Sequence, residues 1–92
     1  MTTIIKFTAQ GCGQCKMLEP IFFKAVHPFI ERASVQSFDI DEMTEIAQKY
    51  SVQHVPTIII MHDGAEVERL EGVVTEKKLT ETIEKYVGGD AK

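Results

Sequence analysis

The spacing of apolar and polar positions changes several times along the chain, and each change predicts a new element. Residues 3–8 (Thr-Ile-Ile-Lys-Phe-Thr) are β-branched and aromatic, as in a strand, with Lys6 an odd charge inside it. From Gln14 to about Ile30, the residues Leu18, Ile21, Phe22, Ala25 and Phe29 recur at helical spacing, which predicts an amphipathic helix. Pro20 falls inside it and should kink it, having no amide hydrogen and clashing one turn back; Pro28 marks its fraying end. Residues 35–40 read as a second strand, after which Asp41 can cap a short helix through Tyr50, with Ile46, Ala47 and Tyr50 facing inward. Pro56 precedes residues 57–61, an almost wholly apolar run suited to a central strand covered on both faces. His62-Asp63-Gly64-Ala65 is a turn, and the more polar residues 66–71 return as a strand nearer an edge. Thr75 caps a last helix with Leu79, Ile83, Tyr86 and Val87 on its apolar stripe, and Gly88-Gly89 ends it. The order is βαβαββα. Phe22, Phe29, Phe38 and the methionines fit core positions.

Ninety-two residues make one domain, spanning 1–92, with no room for two independent cores. A chain of this size buries only roughly 60–65% of the surface its unfolded form exposes. The net charge of −4 argues against a nucleic-acid partner, which needs a basic face to replace phosphate counterions. No apolar run approaches a membrane span, and the start Met-Thr-Thr-Ile-Ile-Lys lacks the pattern of a secretory signal. The expectation is a cytoplasmic monomer that meets neither membrane nor nucleic acid.

Composition leaves the chemistry to two cysteines, three positions apart. Closing so short a loop is worth roughly 2 kcal/mol in the chain-entropy model, so a structural staple explains the pair poorly. Gly11-Cys12-Gly13-Gln14-Cys15 lies where the first strand hands over to the first helix. A helix start offers unpaired N–H groups and the positive end of the dipole, and both favour a thiolate. Cys12 should therefore be exposed, acidic and reactive, while Cys15, about a turn further on, is more buried and near enough to bridge to it. Zinc is a poor fit: the pair supplies two ligands of four, with no second Cys pair or close His pair. No metal or cofactor is expected.

The segment from Lys6 to Lys16, Lys-Phe-Thr-Ala-Gln-Gly-Cys-Gly-Gln-Cys-Lys, resembles the active-site segment of thioredoxins. Pro20 matches the proline that kinks their active-site helix, Val55-Pro56-Thr57 is similar to their cis-proline loop, and Gly64 and Gly72 match two later glycines. The resemblance covers nearly the whole chain. It implies an α/β thioredoxin-like fold, a four-stranded mixed sheet flanked by three helices, without the leading strand and helix of full-length thioredoxins. It also implies a redox-active disulfide between Cys12 and Cys15 and a cis Pro56 packed beside them. The Val55 backbone would pair with the substrate chain, with Gly11 and Gly72 completing the substrate-binding positions. The implied partners are protein disulfides and a regenerating enzyme of the thioredoxin-reductase type.

Departures from that pattern matter as much. Lys6 stands where thioredoxins bury an Asp thought to help deprotonate the second cysteine. A partly buried ammonium there would instead favour thiolate by charge attraction, unless Lys6 snorkels to water and does nothing. Gly11 and Thr8 replace two tryptophans of the usual substrate platform, and Gln14 replaces a proline. His54, beside the Val-Pro loop, is either a second group that stabilises the Cys12 thiolate or a partly exposed loop histidine. Two rival readings share the fold. A glutathione-dependent glutaredoxin suits the short length, but the segment after Gly72 lacks the Gly-Gly-x-Asp pattern used on glutathione. A redox-inert adaptor or metal-delivery module is disfavoured by retention of both cysteines and Pro56.

Overall fold

The computed structural model describes residues 1–87, so the expected Gly88-Gly89 helix stop lies outside the described residues. The chain runs β1 (Thr2–Thr8), α1 (Gly13–Val26), a 3-10 turn (His27–Phe29), β2 (Ala33–Asp39), α2 (Thr44–Lys49), β3 (Thr57–His62), β4 (Ala65–Glu71) and α3 (Glu76–Glu84). The strands form one mixed sheet in the order β2-β1-β3-β4, β1 parallel to β2 and antiparallel to β3, and β4 antiparallel to β3. This is the α/β architecture of four strands and three helices that the resemblance implied.

The two inner strands explain their own composition. Along β1 and β3, successive side chains point to opposite faces. Ile4, Ile58 and Ile60 pack under α1 and α3 with Leu18, Phe22, Ala25, Leu79 and Ile83. Ile5, Phe7 and Ile59 meet Ile46 and Tyr50 of the α2 side. Strands covered on both faces cannot alternate apolar with polar, hence the unbroken Ile-Ile-Ile run. β4, the expected edge strand, carries Glu66, Glu68, Arg69 and Glu71. The hairpin between them turns on Asp63 and Gly64, with φ of 53° and 85°. Two successive positive φ values suit the twist of the flanking strands, and Asp-Gly is a sequence that tolerates them.

Four expectations need correction. The first helix runs through Pro20 but stops at Val26, short of Ile30, and tightens into the 3-10 turn. Pro28 is the cause: it has no N–H to reach back one turn, and its ring opposes the Lys24 carbonyl. Asp41 does not cap the second helix, which begins at Thr44 without a side-chain cap. Asp39 organises that turn instead, its carboxylate accepting the Asp41 amide at 2.8 Å and its carbonyl the Met43 amide at 2.8 Å. The local Asx turn satisfies these amides before the helix starts. The second strand starts earlier than expected, at Ala33. Three of the four methionines are not core residues: Met1, Met17 and Met43 are exposed, while Met61 is half-buried against the Ile5, Phe7 and Ile59 cluster. The aliphatic isoleucines already fill the space between sheet and helices. Thr75 does cap α3, accepting the Lys78 amide at 3.1 Å. Among the described residues, no helix is long and apolar enough to cross a membrane.

Candidate active site

Strand register delivers three loops to one end of the sheet. Phe7 at the end of β1 pairs with Thr57 at the start of β3, and Thr57 pairs with Glu71 at the end of β4. Residues 9–12, residues 54–56 and Gly72 therefore leave the sheet side by side. Two hydrogen bonds tie these loops down. Gly72 donates its N–H to the Pro56 carbonyl at 2.8 Å, and the Thr57 hydroxyl donates to the His54 carbonyl at 2.7 Å. The Val55–Pro56 bond is cis, as the resemblance implied. Pro56 is buried and Val55 half-buried against Ile5, Phe7 and Ile59. Among the described residues, neither the N–H nor the carbonyl of Val55 takes a backbone hydrogen-bond partner.

The cysteines occupy the mouth of α1. Cys12 is the cap residue, extended at φ −94° and ψ 109°, and its sulfur accepts the Cys15 amide at 3.1 Å. Its carbonyl accepts the Lys16 amide at 3.3 Å, closing the first turn. The sulfur thus occupies the place usually taken by a Ser or Asp oxygen, facing the free N–H groups and the positive end of the helix. Cys12 and Cys15 form a disulfide with Cα atoms 5.3 Å apart, within the ordinary range for the bond. Cys12 is half-buried rather than fully open, whereas Cys15 is 6% exposed. A Cβ built on Gly11, Gly13 or Gly72 would meet nothing within 4 Å, so the surface beside each is open.

Lys6 does not snorkel. It is 4% exposed, on the face of β1 that α1 covers, next to Ile4. Its Nζ lies 3.5 Å from Glu19 Oε2 and 5.0 Å and 5.5 Å from the ring centroids of Phe22 and Phe23. The ammonium is therefore held inside by a carboxylate and two aromatic faces, and Glu19 is a residue that the sequence reading passed over. Thirteen positions separate the pair along the chain, so no local spacing rule links them. His54 has an exposed side chain, and its carbonyl rather than its ring joins the loop network. Val55, Pro56 and Gly72 are brought together, at the same sheet end as Cys12.

A bridged cysteine pair at a helix mouth, beside a cis-proline loop on a four-stranded mixed sheet, defines a thiol–disulfide oxidoreductase of the thioredoxin fold. Comparison with known proteins agrees. The family model described as Thioredoxin matches residues 1–85, and the chain belongs to the thioredoxin family. It is 39% identical over 88 residues to a thioredoxin H-type of Oryza sativa subsp. indica, an alignment spanning 96% of this chain and 70% of that protein. It is 32% identical over 84 residues to a thioredoxin of Staphylococcus saprophyticus, covering 91% of this chain and 81% of the relative. Among solved structures, a Fasciola hepatica thioredoxin superposes with a TM-score of 0.83 at 35% identity, covering 92% of this chain and 80% of that one. A Halobacterium salinarum thioredoxin does so with a TM-score of 0.79 at 36% identity, covering 94% and 74%. Members of the family generally reduce protein disulfides and are regenerated by thioredoxin reductase.

Proposed function

We propose that this chain reduces protein disulfides through its Cys-Gly-Gln-Cys segment and is recycled by a thioredoxin-reductase-type enzyme. The observation that carries the reading is the Cys12 sulfur in the cap position of α1, bridged to a buried Cys15. In the reduced protein that sulfur is stabilised as a thiolate by the amides and dipole it faces. The Cys12 thiolate attacks one sulfur of the substrate disulfide, forming a mixed disulfide and expelling the other substrate sulfur as a thiolate, which takes up a proton. Cys15 loses its proton and attacks Cys12, forming the intramolecular disulfide and releasing the second substrate thiol. Two electrons pass to the substrate and leave the chain oxidised. Val55, Pro56, Gly11 and Gly72 form the surface on which the substrate lies, the unpaired Val55 backbone serving as a short edge for an extended substrate segment.

The test is insulin-disulfide reduction by the purified, metal-free protein, with NADPH and a thioredoxin reductase as the electron source. Wild type should turn over, Cys12→Ser should be inactive, and Cys15→Ser should accumulate a mixed disulfide. No reduction by the wild type, or activity retained in Cys12→Ser, overturns the reading. Recycling by glutathione alone would move the protein to the glutaredoxin class.

A further inference from the structure

Among the described residues, Lys6 is the only charged side chain that is buried. Its single carboxylate partner, Glu19, is 56% exposed and stands 3.5 Å away, longer than the ~2.7–2.9 Å of a strong charge-assisted hydrogen bond. The positive charge is partly neutralised and could be unmasked by a change at one surface residue. We infer that Glu19 sets the redox equilibrium of the Cys12–Cys15 pair by masking the Lys6 ammonium. The inference rests on the disulfide-exchange reading above and adds a residue that takes no part in the exchange itself.

The geometry follows from α1. Cys15 and Glu19 are four residues apart in one helix, so their Cβ atoms are neighbours at about 5–6 Å. Helical side chains lean toward the N-terminus, which carries the Glu19 carboxylate toward Cys15. The ammonium it holds is buried beneath α1, against Glu19 and Phe22 of that helix, behind protein rather than water. The other charges nearby on α1, Lys16 and Lys24, are exposed, and the strand neighbours of Lys6 are the uncharged Ser37 and Ile58. Reduction of the disulfide takes two electrons and two protons and yields two thiols, one of which gives its proton up readily at the helix mouth. A nearby cation favours that ionised, reduced form, and a nearby carboxylate opposes it. Glu19 is a positioning residue in this scheme: it touches neither sulfur and acts through the field that its carboxylate and the Lys6 ammonium together place on the pair.

The scheme gives opposite signs to two substitutions, a pattern that simple loss of packing cannot produce. Glu19→Gln unmasks the ammonium and should make the pair more oxidising. Lys6→Met leaves the carboxylate alone and should make it more reducing. Equilibration of each full-length variant with glutathione buffers at pH 8 reads the potential directly. The expected change is at least threefold in the equilibrium constant, or about 14 mV at ~30 mV per tenfold for a two-electron couple. The double variant should return toward wild type. Glu19→Gln is nearly isosteric at an exposed position, and with far-UV circular dichroism to verify its fold it decides the matter even if Lys6→Met unfolds. A Glu19→Gln shift below threefold, or one toward the reducing side, overturns the inference while leaving disulfide reduction intact. A wild type that never exchanges with glutathione or insulin indicts the functional reading instead.

Discussion

Replacing Cys12 by serine and by alanine separates what its side chain does for the helix from what it does in exchange. The Cys12 sulfur accepts the Cys15 amide at 3.1 Å from the cap position. Alanine deletes that acceptor, and loss of a capping side chain costs about 1 kcal/mol, within a range of roughly 0.5–2. Serine, whose oxygen fills the same place, restores a neutral cap, without the charge that the wild-type thiolate adds in the reduced protein. For 92 residues, an unfolding entropy of about 2.1 cal/mol/K per residue comes to roughly 190 cal/mol/K, so 1 kcal/mol moves Tm by about 5 °C. The assay is thermal unfolding followed by far-UV circular dichroism in excess dithiothreitol, where no chain carries the disulfide. Cys12→Ser should melt about 5 °C above Cys12→Ala, although both variants are inactive in exchange. Serine and alanine variants melting within about 1 °C of each other would refute the placement of this side chain at the helix cap.

Two further outcomes follow from the same geometry. Gly72 has φ of 84° with open space where a Cβ would stand. Gly72→Ala should therefore cost about 1–2 kcal/mol through backbone strain alone and, by loosening the bond to the Pro56 carbonyl, raise KM for a disulfide substrate more than it lowers kcat; denaturant unfolding and insulin-reduction kinetics check the two parts. On β4, hydrogen bonds from Arg69 at 2.8 and 2.9 Å hold the Glu66 carboxyl below its ordinary value. Because the folded value lies below the unfolded one, this stabilisation is complete above the unfolded value and disappears as pH falls through the folded value. Wild type should thus melt above Glu66→Gln at neutral pH, and the gap should close in acid; a gap independent of pH would contradict it.

How legible each part was depends on the range of the interaction behind it. Elements with strong local codes were visible at once: the unbroken Ile58-Ile59-Ile60 run, the Asp63-Gly64 turn, the Thr75 cap, and the cysteine pair where a strand passes into a helix. Boundaries set by competition between neighbours were less so. Asp39 and Asp41 are both plausible caps on local grounds, and only the strand register that ends β2 at Asp39 gives the turn to the first. Val55, Pro56 and Gly72 carried a signal only through resemblance to a family, since 15 residues of hairpin and strand separate Pro56 from the glycine its carbonyl binds.

By itself, then, the order of residues determined the strand and helix pattern, the class of chemistry and the position of the reactive sulfur at a helix mouth. These depend on periodicity, on turn residues and on a spacing of three, all of which operate within a turn or two of chain. Tertiary packing alone decided the state of Lys6. A lysine in a strand reads the same whether its amine reaches water or not. The answer came from α1 lying across that face, with Phe22 and Phe23 closing over the amine and Glu19 meeting it. Burial and ion pairing between segments depend on which surfaces are pressed together, and that is a property of the folded sheet and helix as a whole.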